Sequence, residues 1–153
     1  MLIGGRVQQL DDTAAVFRAP ASEVVARFVG VETIVDGRVG AREGDVAVVD
    51  VDGRAVRVAS AEPVGRAVRL AIRPEDVVLA LPDERPARSS ARNVLPGKVV
   101  EIAVGPHGVR VVVDCGFPLV TLVTARALDE LRLRPGAGVD AVFKASAVHV
   151  LPL

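Results

Sequence analysis

The sequence is poor in aromatic, cysteine and histidine residues. Its 153 residues include four Phe, no Trp, no Tyr, one Cys and two His. The core therefore has to be aliphatic, and valine-rich alternating runs favour strands over helices. The single Cys115 excludes an intrachain disulfide, and no apolar run reaches the roughly 18 residues that a membrane-spanning helix needs. Because the N-terminus also lacks the order of a signal peptide, these absences favour a cytosolic protein.

The charge balance argues against a general nucleic-acid-binding protein. The 19 basic and 19 acidic residues cancel, whereas such proteins usually carry a basic excess and, for single strands, stacking aromatics. The sequence also lacks a Gly-rich phosphate-binding loop, and His107, His149 and Cys115 do not have the spacing of a zinc site or a hydrolytic triad. We therefore expect no catalytic residue and no bare metal ion, and we interpret Cys115 as a small buried apolar residue.

The first 30 residues differ in pattern from the rest of the chain. Asp12-Thr13 offers an N-cap for a short helix that Pro20 ends, and a second short helix is expected from Ser22 to Gly30. The two predicted helices have little apolar surface to bury against each other. Residues 1–30 are therefore interpreted as a helical remnant at the edge of a larger structure.

From Val31 onward the apolar residues alternate as they do in strands. Asp52-Gly53 lies between two alternating runs, which is the strongest short-range signal of a β-hairpin. A polar, proline-containing stretch after Leu81 indicates a linker. The linker separates a first β unit, residues 31–86, from a second, residues 87–153.

The two units follow the same order of elements. Gly37-Arg38-Val39 corresponds to Gly97-Lys98-Val99, and the interruption after Ile72 corresponds to the one after Phe143. Within the second unit we predict strands at 97–104, 109–114, 117–123, 139–143 and 148–151, with one short helix at 124–131. Five short strands and a small helix suit an OB-like barrel, which leaves few open edges. The predicted fold class is therefore mainly β, with OB-like barrels built from two related units.

Hydrogen-bond donors are concentrated in two stretches of the second unit. Ser89-Ser90-Ala91-Arg92-Asn93 holds two hydroxyls, a guanidinium and an amide without an acidic residue. Phe143-Lys144-Ala145-Ser146 adds an ammonium and a hydroxyl where a strand ends, and Thr124 begins the predicted helix, a position that favours anions. Such donors suit a tetrahedral oxyanion if they converge. The alternative is that the serines are linker, Lys144 is a solvated charge and Thr124 is only a helix cap.

Five motifs of the second unit occur in an order and spacing that one family shares. They are Ser90-Ala91-Arg92-Asn93, Leu95-x-Gly97-x-Val99, Thr124 before a short helix, Leu133-x-Pro135-Gly136 and Phe143-Lys144-Ala145-Ser146-x-Val148. Residues 89–151 therefore resemble the molybdate- and tungstate-binding Mop or TOBE family. The earlier motifs Gly5-Arg6-Val7-Gln8-Gln9 and Ile72-Arg73-Pro74-Glu75-Asp76-Val77 resemble the carboxy-terminal third of ABC-transporter ATPase subunits, in which residues 1–30 would end the nucleotide-binding domain.

The resemblance implies a ligand and a site. The ligand is molybdate or tungstate, with no cofactor, and the oxyanion-binding positions fall on Ser90, Arg92, Thr124, Lys144 and Ser146. Ala127 departs from the family, which often has Ser or Thr at that position. One donor is lost there, so affinity or anion preference is expected to differ.

The resemblance also implies partners and a role. The chain is expected to form a homodimer through its β domain, with the oxyanion bound where two copies meet. It is also expected to work with an ABC ATPase domain and a membrane permease at the cytoplasmic face of the membrane. No nucleic-acid partner is expected. Bound anion would inhibit import. The Walker and signature motifs are missing, so this chain alone should not hydrolyse ATP. Two alternatives stay open: a non-sensing TOBE domain of a sugar, polyamine or iron importer, and a storage protein without a transporter.

Overall fold

The structure, a computed structural model, describes residues 2–3, 5–7, 22–28, 30–84 and 88–153. The chain begins with β1 (Leu2–Ile3), β2 (Arg6–Val7) and α1 (Glu23–Phe28). The first unit contains β3 (Thr33–Glu43), β4 (Val46–Val51), β5 (Arg54–Ala59), β6 (Ala67–Ile72), the 3-10 turn η1 (Pro74–Asp76) and β7 (Val78–Ala80). The second unit contains β8 (Asn93–Gly105), β9 (Gly108–Asp114), β10 (Pro118–Val123), α2 (Ala125–Glu130), β11 (Gly138–Phe143), the 3-10 turn η2 (Ala145–Ala147) and β12 (His149–Leu151).

Two five-stranded antiparallel sheets form the body of the protein. The first sheet has the order β12-β6-β3-β4-β5, and the second has the order β10-β9-β8-β11-β7. Each sheet takes one strand from the other unit, because β7 pairs with β11 and β12 pairs with β6. The two units are therefore intertwined in space although they follow each other in sequence.

One core of buried apolar side chains runs through both units. Leu70 and Ile72 of the first unit and Leu119 and Phe143 of the second are at most 2% exposed and belong to a single cluster. Most other members of this cluster are valines, as the composition requires of a chain with so few aromatics. The mainly β, OB-like fold class predicted from the sequence is confirmed.

The two units share a close approach of neighbouring strands at one glycine each. A Cβ atom at Gly37 would lie 2.5 Å from the carbonyl oxygen of Asp50, and one at Gly97 would lie 2.6 Å from that of Asp114. A β-bulge follows each glycine, at Val39 in β3 and at Val99 in β8. The correspondence of Gly37-Arg38-Val39 with Gly97-Lys98-Val99 therefore has a structural cause, since no side chain fits at either glycine.

The N-terminal part agrees in part with the sequence prediction. The second predicted helix is confirmed as α1, whose Val25 and Ala26 are fully buried, and Ser22 accepts a hydrogen bond from the backbone N–H of Val25 through its hydroxyl (3.3 Å). The first predicted helix, around Thr13, lies outside the described residues. β1 and β2 pair as a short hairpin that the sequence did not predict; two-residue strands are too short to show alternation.

The second unit contains the elements that the sequence predicts, with one strand longer than expected. The helix that Thr124 caps is confirmed in this unit, and the hairpin at Asp52-Gly53 is confirmed in the first unit. β8 begins at Asn93, four residues before the predicted start at Gly97. Pro96 obscured this start, because proline lacks an N–H and is unusual in a paired strand. The domain boundaries after residues 30 and 86 stay predictions.

Candidate functional site

The pairing of β8 with β11 brings the two donor-rich stretches to one place. Asn93, the first residue of β8, lies opposite Phe143, the last residue of β11. Arg92 and Lys144 flank this pair, so both lie at the same end of the ladder. Ser90 lies two residues before Arg92, and Ser146 lies two residues after Lys144. We call Ser90, Arg92, Lys144 and Ser146 the donor cluster.

All four side chains of the donor cluster are exposed. In η2 the intervening Ala145 is buried while Lys144 and Ser146 face solvent, so the turn is fixed by an inward alanine and presents its polar neighbours outward. The stretches 88–93 and 143–148 contain no carboxylate. The site is therefore a surface of positive and neutral donors, which favours an anionic ligand.

The segment before β8 is folded by its own hydrogen bonds. The hydroxyl of Ser89 accepts from the backbone N–H of Ala91 (3.2 Å), and Arg92 donates from Nη1 to the carbonyl oxygen of Ser89 (3.0 Å). Both bonds are local and exposed. They bend the segment without connecting it to the rest of the protein.

The amide of Asn93, which the sequence offered as a donor, is used elsewhere. Its side chain is 1% exposed, accepts from the backbone N–H of Arg57 (2.7 Å) and donates to the carbonyl oxygen of Arg57 (2.8 Å). The carbonyl oxygen and one N–H of the amide are therefore engaged by Arg57, and the side chain is shielded from solvent. Asn93 is not available to an anion at the surface.

Thr124 is not brought to the donor cluster within one chain. It follows β10, the outer strand of the second sheet, whereas the cluster lies at the ladder of β8 and β11 two strands away. Its hydroxyl oxygen accepts from the backbone N–H of Ala127 (3.0 Å) and caps α2. Among the described residues no hydrogen bond joins Thr124 to Ser90, Arg92, Lys144 or Ser146.

The first unit has an equivalent position that lacks these donors. Thr33 lies opposite Ile72 in β3 and β6 as Asn93 lies opposite Phe143. By this register Glu32 corresponds to Arg92. Arg73 corresponds to Lys144, and Glu75 corresponds to Ser146. Glu32 pairs with Arg110 of the second unit (2.7 Å). Two carboxylates thus stand where the donor cluster has none.

Arg73 is the basic residue of this second position, and its surroundings differ from those of Lys144. Its Nε and Nη2 atoms are buried and have no hydrogen-bond partner among the residues that the structure describes, whereas Lys144 is exposed. Half-burial of the nearby His149, reinforced by the Arg73 charge and opposed by Asp76, lowers the pKa of the imidazole below its usual value. The equivalent position is therefore partly enclosed and carries mixed charge.

Three further features bear on what kind of site this is. Cys115 is buried as predicted, its thiol donates to the carbonyl oxygen of Phe117 (3.4 Å), and burial raises the pKa of that thiol. Within the described ranges, no group of three His, Cys, Asp or Glu side chains is placed to hold a metal ion. No helix in the described part of the chain is long and apolar enough to cross a membrane.

Two depressions in the described part of the surface lie away from the donor cluster. One of about 680 Å³ lies beside α2 and is lined by residues such as Leu128, Arg132 and Pro135. Another, of about 480 Å³, lies between Arg54 and Lys98. Neither includes a residue of the donor cluster, which is consistent with a site that a second molecule has to cover.

The two intertwined five-stranded sheets form an OB-like β domain, and the second unit of this domain carries the exposed donor cluster. The TOBE domain family model matches residues 89–150, which lie within the second unit. The region that matches contains every residue of the donor cluster and Thr124. The family resemblance drawn from the sequence is thereby confirmed.

The chain is similar over nearly its whole length to subunits of two importers. It is 35% identical to the molybdate/tungstate import ATP-binding protein WtpC of Pyrococcus horikoshii, over 99% of this chain and 41% of that protein. It is 40% identical to the molybdenum import ATP-binding protein ModC of Rhizobium meliloti, over 94% of this chain and 41% of that protein. The chain thus spans about two fifths of the length of these relatives.

A solved structure of similar fold has molybdate bound. The cytoplasmic molybdate-binding protein ModG superposes with a TM-score of 0.67 and is 29% identical. The superposition covers 80% of this chain and 97% of that chain. Nearly the whole of that molybdate-binding protein therefore superposes on four fifths of this chain.

Proposed function

We propose that this chain is the regulatory oxyanion-binding region of an ABC importer ATPase subunit, with molybdate or tungstate as its ligand. The observation that carries the proposal is the Asn93–Phe143 pairing, which places four donors together at one end of a ladder. Similarity to molybdate and tungstate import subunits and to a molybdate-bound structure supports the choice of ligand.

The charge distribution supports binding at the donor cluster. A tetrahedral dianion needs several donors and no nearby carboxylate, and each hydrogen bond to a charged group contributes about 1.5–3 kcal/mol. Arg92 and Lys144 supply positive charge, and Ser90 and Ser146 supply hydroxyls. The equivalent position of the first unit has Glu32 and Glu75 instead, which would repel the same ligand. We therefore place the anion in the second unit only.

We propose that two copies complete the site. The four side chains of the donor cluster are exposed and line neither of the two depressions described above, so we expect that one chain alone does not surround an anion. Thr124 is exposed and lies away from the cluster of its own chain, but it is free to approach the cluster of a second copy. The chain is then a homodimer through its β domain.

The proposed role is to report the intracellular anion to the transporter. The region adds no catalytic group of its own and acts through the ATPase domain of the same subunit and the membrane permease. Anion bound between two regulatory regions would hold them together and favour a transporter state that does not import. In this way the product of transport would limit its own entry, at the cytoplasmic face of the membrane.

Titration calorimetry of the chain with molybdate, tungstate and sulfate tests the proposal. We expect heat with molybdate and tungstate, weaker binding of the smaller sulfate, and a dimer by light scattering in the presence of the bound anion. An absence of heat with all three anions at concentrations well above micromolar would favour a non-sensing TOBE domain. A monomer that binds anion would contradict the shared site.

A further inference from the structure

We infer that Asn93 is a positioning residue for the donor cluster: it fixes the Ser90–Arg92 segment without contacting the ligand. The inference rests on the proposed function, because it concerns how the residues of the same site are held in position. It follows from two hydrogen bonds that the oxyanion-binding hypothesis does not use.

Asn93 joins the two sheets directly beside the donor cluster. It is the first residue of β8 in the second sheet, and its amide bonds both backbone groups of Arg57 in β5. β5 is the outer strand of the first sheet. The Asn93 amide thus takes the place of a neighbouring strand for Arg57, and both bonds are shielded from water because Asn93 is buried.

These two bonds anchor residues 88–92, whose own side-chain hydrogen bonds among the described residues are local. Arg92 directly precedes Asn93 and Ser90 lies three positions before it. Within the described residues, the side-chain hydrogen bonds of 88–92 are the two local ones to Ser89. The other half of the cluster lies against the same strand, since η2 packs on β5. Both halves of the donor cluster are therefore positioned relative to β5.

The first unit provides an internal comparison at Thr33. Thr33 is the first residue of β3, is buried, and accepts a hydrogen bond from the backbone N–H of Val120 in β10 (3.0 Å). β10 is the outer strand of the second sheet. The same position thus joins the units at both ends of the molecule. Only at Asn93 is the joining residue preceded by cationic and hydroxyl donors.

The comparison defines the variants. Asn93→Ala removes both bonds to Arg57, and Asn93→Thr keeps one acceptor in the arrangement that Thr33 uses. Thr33→Val is the matched control, because it removes the equivalent bond at the other end of the molecule and leaves 88–93 untouched. We expect molybdate to bind about tenfold or more weakly to Asn93→Ala, an intermediate loss for Asn93→Thr and an unchanged affinity for Thr33→Val.

Two measurements on the intact chain test the inference. Hydrogen exchange of the backbone amides of 88–92, without ligand, should be faster in Asn93→Ala and Asn93→Thr than in the wild type and unchanged in Thr33→Val. Calorimetric titration with molybdate should then show the largest loss of affinity in Asn93→Ala, an intermediate loss in Asn93→Thr and no loss in Thr33→Val. Unchanged exchange at 88–92 in both Asn93 variants would overturn the inference, as would wild-type affinity in either folded variant.

The two measurements also separate this inference from the proposed function. If the wild type itself binds neither molybdate nor tungstate, the proposed function fails. Faster exchange at 88–92 in the Asn93 variants would then still establish that Asn93 orders this segment. Because Asn93→Thr keeps an acceptor for the Arg57 N–H, it gives a result even where Asn93→Ala does not fold.

Discussion

Arg92 and Lys144 stand at positions where the first unit has Glu32 and Arg73. The register that relates the two pairs is set by Asn93 opposite Phe143 and by Thr33 opposite Ile72. A difference of a few side chains on equivalent backbones therefore accounts for the proposed restriction of anion binding to one unit. Glu32 bonds Arg110 of the other unit instead, a contact whose charges are each about 40% exposed and which is worth little in stability.

His149 gives a prediction at the same scale. Half-burial and the Arg73 charge lower the pKa of His149 below its ordinary value of 6.5, although the Asp76 charge acts in the opposite direction. The folded state therefore favours the neutral imidazole, and the unfolded chain binds more protons between the two pKa values. We expect the free energy of unfolding to be largest above pH 6.5 and to fall as the pH decreases below it.

Urea denaturation followed by circular dichroism at several pH values measures this dependence. His149→Gln should flatten the fall below pH 6.5. His107→Gln is the control, because His107 is exposed in the turn between β8 and β9, and it should leave the profile unchanged. Equal pH profiles for the wild type and His149→Gln would contradict the assignment.

Strand pairing determines which sequence predictions could succeed. Alternating valines and Asp52-Gly53 predict strands and a hairpin because those signals are local. The exchange of β7 and β12 between the sheets was not predicted, because no local signal states which strand a short terminal strand will join. Asn93 shows the same limit within the site: its residue type suggested a donor for the anion, but only the tertiary fold shows Arg57 beside it.

Gly97 gives a prediction for the strands themselves. A methyl group there would lie 2.6 Å from the carbonyl oxygen of Asp114, so β8 and β9 would have to separate. We expect Gly97→Ala to lower the free energy of unfolding by about 1–3 kcal/mol. Gly138→Ala in β11 is the matched control, because nothing lies within 4 Å of its added methyl group. A similar midpoint of urea denaturation for both variants would show that the approach at Gly97 is not tight.

The whole molecule is built so that neither unit should be stable alone. Each sheet includes a strand from the other unit, and one core contains Leu70 and Phe143 together. We therefore expect a single unfolding transition. Leu70→Ala and Phe143→Ala, each expected to cost about 2–5 kcal/mol, should lower the midpoint of the same transition.

Differential scanning calorimetry distinguishes this expectation from independent units. Two separate peaks in the wild type, or a variant that shifts only part of the transition, would mean that the units unfold separately. This matters for the proposed role, because intertwined units would transmit a change at the donor cluster to the whole regulatory region. Independent units would confine it to the second sheet.

The central claim is that an oxyanion binds at the donor cluster, and the two lysines of the chain allow a direct test of it. Lys98 and Lys144 are both exposed and both in the second unit, but only Lys144 belongs to the cluster. Removing one charge-assisted hydrogen bond should weaken molybdate binding about ten- to hundredfold in Lys144→Ala. Side-by-side calorimetric titrations of Lys144→Ala and Lys98→Ala should therefore show that loss in Lys144→Ala alone, with both variants folded; equal affinities for molybdate would contradict the account.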